Sequence, residues 1–174
     1  MMRKSTWLMS VLSVILILSV TSTSANEMIS VVYGDRSSAE VRTVYINQLE
    51  VIDEHLYLHS DEIEWYEGEE ADAKFLALEE GAEEIGGAID GYYIINDSEE
   101  LQKLEVADHA QVIMQIYDRD GTYEGADIQW NEEITLEEFI AAYANNELMD
   151  LAVFPYHITI EDGIVTSIVQ QYIP

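Results

Sequence analysis

Asp118-Arg119-Asp120-Gly121, with Glu124 and Asp127 downstream, is the stretch where residue type and spacing come nearest to chemistry. Oxygen ligands crowded onto a glycine-bearing loop are what a calcium ion requires, and Glu137-Glu138-Phe139 follows as the exiting helix of an EF-hand would. The register does not fit that motif. With Asp118 at position one, Gly121 falls at position four instead of six, and Gln129 stands where the bidentate glutamate belongs. There remains an irregular loop in which Asp118, Asp120, Glu124 and Asp127 are the candidate Ca²⁺ ligands, set against the plainer alternative of a solvated turn. His55 and His59 are four apart. That spacing puts two imidazoles on one metal in a helix, but along a strand it spans ~13 Å, too far to share an ion. His109 and His157 are isolated and are expected at polar strand positions. Glu64, beside Trp65 and Tyr66, is the place to look for a buried glycosidase acid with an aromatic sugar platform. Among 35 acidic residues, however, nothing singles out a catalytic dyad, and catalytic residues stay unassigned. There is no nucleophile elbow, phosphate-binding loop, dinucleotide fingerprint or zincin helix, and hence no cofactor expectation beyond the calcium loop.

The elements that must position these residues follow from periodicity. β-branched and aromatic residues fill Val41 to Ile52, and Asp53-Glu54 separates them from Leu56-Tyr57-Leu58, which predicts a hairpin continued by Ile63 and Trp65. Between Gly68 and Gly81 the period becomes helical, with Ala71, Phe75, Leu78 and Ala82 on one face and Glu79-Glu80 and Glu83-Glu84 as a solvated charge run. Tyr92 to Ile95 and Gln111 to Tyr117 read as strands. Thr135-Leu136-Glu137-Glu138 is a capping box opening a helix whose apolar face is Leu136, Phe139, Ile140 and Tyr143. Tyr156, Ile158 and Ile160 lead into Asp162-Gly163, the favoured pair for a type I′ turn, with Ile164 to Ile173 returning. The expected order is β-β-α-β-β-α-β-β, an α+β fold with a mostly antiparallel sheet or partial β-barrel and two helices, in one globular domain over residues 41–174.

Ahead of that domain, Arg3 and Lys4 precede an apolar run, Trp7 to Val20, that closes on Thr23-Ser24-Ala25. This is the pattern of a secretory signal peptide over residues 1–25, too short in its apolar part for the ~20 residues that span a bilayer. Residues 26–40 read as a polar, flexible segment. Cleavage after Ala25 takes two of seven basic residues and none of the acidic ones, leaving Arg36, Arg42, Lys74, Lys103 and Arg119 to balance them. The full chain carries −28. That sign excludes phosphate backbones and anionic membranes as partners, while a 48% hydrophobic content supplies a core. Charge of this density fits a salty or alkaline habitat, where ions screen it. The absence of cysteine despite export points to a Gram-positive source and rules out thiolate sites and a lipid-bearing Cys.

The C-terminal hairpin carries a resemblance. Pro155-Tyr156-His157-Ile158-Thr159, Asp162-Gly163-Ile164-Val165-Thr166 and Gln171-Tyr172-Ile173-Pro174 resemble the ending of small secreted proteins and lipoproteins of bacilli and actinomycetes for which no activity is known. Gly91-Tyr92-Tyr93-Ile94-Ile95-Asn96 is similar to that family's central strand, and Trp65 to its tryptophan after the opening hairpin. His157 stands where an aromatic such as Trp is usual, and the lipid-bearing Cys is missing. The resemblance implies secretion and this fold, and no catalytic residue. Together these features lead us to expect a secreted acidic protein, non-catalytic and monomeric, that serves as a binding or structural module for an envelope or extracellular ligand. An extracellular calcium-responsive protein and an extracellular glycan hydrolase are the alternatives.

Overall fold

The computed structural model describes residues 39–98 and 100–174; the expected signal peptide and the polar stretch up to Ser38 lie outside the described residues. Alternation builds the opening hairpin. Strands β1 (Glu40–Ile52) and β2 (His55–Glu67) turn through Asp53 and Glu54, both at positive φ, as a two-residue loop with right-handed strand twist requires. Helix α1 (Gly68–Leu78) follows. The apolar face expected to run on to Ala82 is interrupted after Leu78, where Glu79 turns extended (φ −94, ψ 132) and Gly81 then takes φ +82. Ala82 therefore starts a separate turn, α2 (Ala82–Ile85), and Leu78 is left in solvent. Strand β3 (Tyr92–Ile95) pairs with the end of β2, Glu64 to Glu67.

Strand β4 (Leu101–Met114) begins ten residues before the expected Gln111 and stops short of Tyr117. A short β5 (Glu132–Ile134), helix α3 (Leu136–Ala144), a 3-10 turn at Leu151–Val153, and strands β6 (Pro155–Glu161) and β7 (Ile164–Gln170) complete the chain. The Thr135 capping box forms: its hydroxyl accepts the Glu138 amide at 3.2 Å, and the Glu138 carboxylate accepts the Thr135 amide at 2.8 Å. Asp162 and Gly163 both have positive φ, which makes the last turn type I′.

β1 pairs antiparallel with β2 and β6, β6 with β7, and β2 with β4, while β4 runs parallel to β7. These five strands close into a mixed barrel, and β3 and β5 are appended outside it. The fold is α+β with a barrel, as the pattern implied, though with three helices instead of two. A β-bulge at Asn47 switches the inward parity of β1 from Val44 and Ile46 to Leu49, the local bend that closure of a small barrel needs. Inside lie Leu58, Val106, Val112, Met114, Ile158, Val165 and Ile168, with Phe139 and Ala142 of α3 packed among them.

Two tyrosines tie this core together. Tyr156 is fully buried, and its hydroxyl donates to the Leu151 carbonyl at 2.9 Å; the Tyr143 hydroxyl donates to the Ile46 carbonyl. Burial raises both phenol pKa values, well above the ordinary range for Tyr156. In the unfolded chain these phenols ionise near pH ~10, so their contribution to stability is intact below that pH and is lost as pH rises through ~10 toward the folded values. Urea midpoints should therefore fall above pH ~10. Tyr156→Phe should lower neutral stability by about 1 kcal/mol and flatten the alkaline decline.

Candidate functional site

The chain leaves β4 at Met114 and reaches β5 only at Glu132, so residues 115–131 exceed the ~12–15 residues beyond which an ordered connection is usually functional. Two buried glutamines hold its base. Gln170, at the end of β7, accepts the amides of Gln115 and Ile116 on its Oε1, each at 2.9 Å. Gln115 in turn accepts the Gln129 amide on its carbonyl and the Asn131 amide on its side-chain oxygen, both at 2.8 Å. Trp130 is bracketed between them and points outward, 65% exposed. Its indole meets the ring of Tyr172 edge-on, with centroids 5.6 Å apart.

At the centre of the loop lies Arg119. Its guanidinium donates to the carbonyls of Gly125 (2.8 Å) and Asp127 (2.9 Å), pairs with the Glu132 carboxylate, and sits 4.3 Å over the Tyr117 ring. The Tyr117 hydroxyl donates to the other Glu132 oxygen at 3.1 Å. Main-chain carbonyls of the kind a calcium ion would draw on are thus turned onto a planar cation supplied by the chain itself.

Of the four residues singled out as metal ligands, two serve the backbone. Asp118 is buried and accepts the amides of Asp120 and Gly121, and Asn145, the C-cap of α3, donates to its second oxygen at 2.9 Å. Asp120 accepts the amide and hydroxyl of Thr122, which hold its carboxyl below the usual range. The side chains of Glu124 and Asp127 face solvent. Among the described residues no three His, Asp or Glu side chains are grouped so as to hold a metal ion.

The histidines are placed as strand geometry demands. His55 and His59 both lie on β2; His59 contacts Glu50 at 2.9 Å, and His55 contacts Glu105 at 3.4 Å. Glu50 also accepts from Lys103 at 2.7 Å, and these two partners lower its pKa. The Lys103 ammonium lies 4.6 Å over Tyr57. His109 is exposed on β4, and His157 joins Thr43 (3.0 Å) to Gln171 (3.2 Å).

Glu64 is not the buried acid expected beside Trp65. Its side chain is 61% exposed, accepts the Tyr66 hydroxyl and lies 3.9 Å from Lys74. Trp65 has one face covered by Tyr92 at 4.8 Å. The reason is the pleat: Glu64 and Trp65 are consecutive on β2 and must point to opposite faces. Asp61, buried on the Trp65 side, accepts the Asn96 amide at 2.7 Å on one oxygen; its other oxygen and the Trp65 indole N–H have no protein partner. An open groove of about 280 Å³ runs beside Glu62, Glu64, Asp97 and Glu100.

The residues that sequence reasoning missed are Trp130 and Tyr123, together with Arg119, Gln115 and Gln170, which order the loop around them. Arg119 carried a signal, since it is the last Lys or Arg in the chain and sits inside an acidic motif. No family model, curated protein or solved structure matches this chain.

Arg119→Ala should cost about 2–3 kcal/mol by leaving Glu132 and two carbonyls unpaired, and Arg119→Lys should recover only part of this, because a point charge cannot reproduce the fork. Faster amide exchange confined to residues 118–131 would accompany the loss. With Arg119 present, CaCl₂ should raise the thermal midpoint no more than NaCl at matched ionic strength. A rise specific to low-millimolar Ca²⁺ would restore the loop as a metal site.

Proposed function

We propose that the protein is a secreted, non-catalytic binding module acting at or outside the cell envelope, with the β4–β5 loop as its recognition element. Trp130 carries this reading. A large indole left in solvent on a backbone clamped from both sides by a buried glutamine is held in display. Tyr123, 81% exposed, and Ile128 share the loop. Trp and Tyr dominate the energetics of binding surfaces, and a loop already ordered before contact loses less entropy on binding.

Two further features support the reading. The leader pattern of residues 1–25 suits an extracellular setting. The barrel joins its first strand to the second, the second to the third, the third in parallel to the fifth, the fifth to the fourth and the fourth to the first, with a helix between third and fourth. OB-type Greek-key barrels, which bind oligonucleotides or oligosaccharides, share this connectivity. The parallel is one of architecture alone, and the charge of −28 disfavours oligonucleotides. A monomer fits a sheet whose outer strands are only the short β3 and β5.

Immobilised protein should retain a component of envelope extracts, either wall polymer or protein, and Trp130→Ala should reduce that retention several-fold. Retention of nothing, or retention indifferent to Trp130, would remove the reading.

A further inference from the structure

We infer that the Tyr123–Trp130 face docks a basic, Lys/Arg-rich polypeptide segment, an inference that rests on the loop being a recognition element. The loop presents three exposed apolar side chains, Tyr123, Ile128 and Trp130, within eight positions of the chain. Exposed carboxylates are interleaved with them in sequence at Glu124 and Asp127, and Glu133 follows. Aromatic faces beside carboxylates suit ammonium and guanidinium groups, which bind ring quadrupoles and carboxylates together.

Among the described residues the Lys and Arg side chains are engaged elsewhere: Arg42 with Glu40, Lys74 near Glu64 and Lys103 with Glu50. Arg119 is turned inward onto Gly125, Asp127 and Glu132, and no Lys or Arg follows it in the sequence. A net charge of −28 repels anionic partners and steers cationic ones toward the surface. The field is spread over the whole molecule, so the aromatic loop is what gives the encounter a place. Its order before contact, through Gln115, Asp118 and Arg119, lets a flexible partner bear most of the ordering cost.

The experiment titrates a fluorescein-labelled Lys/Arg-rich peptide lacking aromatic residues against the protein, and in parallel a neutral wall-type oligosaccharide. Peptide binding should weaken with NaCl, and Tyr123→Ser and Trp130→Ser should each lower affinity about tenfold with thermal midpoints unchanged. Neutralising Glu79, Glu80, Glu83 and Glu84 together to Gln, on a different element, should lower it less than about threefold. Equal losses from both sets of variants would mean unlocalised charge attraction and would overturn the inference. Trp130-dependent binding of the oligosaccharide without the peptide would overturn the inference and leave the recognition loop standing. Binding of neither probe, together with no Trp130-dependent retention from envelope extracts, would remove both.

Discussion

Everything in this structure depends on β4 bonding to two strands at once, antiparallel to β2 and parallel to β7. Those two ladders close the sheet into a barrel, which pairs the edges of its long strands within the molecule. Closure has a local consequence. The β4–β7 register slips between Val106 and Gln111, so the strand can follow β2 in its first half and β7 in its second. Because β4 ends beside the end of β7, Gln170 meets the first amides of the departing loop, and residues 117–131 are built outward from that buried contact.

The second constraint is charge. The chain has 35 acidic residues, and the four Lys and Arg side chains among the described residues serve as cross-links. Arg42 lies on Glu40 and Glu62, Lys74 near Glu64, Lys103 on Glu50, and Arg119 on Glu132. The four pairs made by Arg42, Lys74 and Lys103 have solvent-exposed carboxylates and contribute little. Arg119 differs because it is mostly buried and makes several directed bonds at once, so its effect is conformational: it turns a polar stretch into a defined loop.

How much of this was legible varies with the kind of signal. The β1–β2 and β6–β7 hairpins, the capping box and the α+β barrel could be read because alternation, turn pairs and the Thr135–Glu138 motif are local. The first half of β4 escaped because Gln102, Lys103, Glu105 and Asp108 interrupt its apolar positions, and only the ladder to β2 makes it a strand. β5 escaped because two of its three residues are glutamates. The helix through Ala82 was read as one element because its side-chain spacing is continuous, although the backbone breaks at Glu79 and Gly81.

The sequence by itself determined the class of fold, the turn geometries and the sign of the field around the molecule, since each depends on residue type within a few positions or on a sum over all of them. Tertiary structure decided which groups the Asp118–Asp127 stretch meets, because they come from distant positions in the chain: Asn145 donates to Asp118, Glu132 pairs with Arg119, and Gln170 accepts the amides where the loop begins. Tertiary structure likewise separated Glu64 from Trp65 across a pleat and left Trp130 in solvent. Exposure is a property of packing, and packing exists only once the barrel has closed.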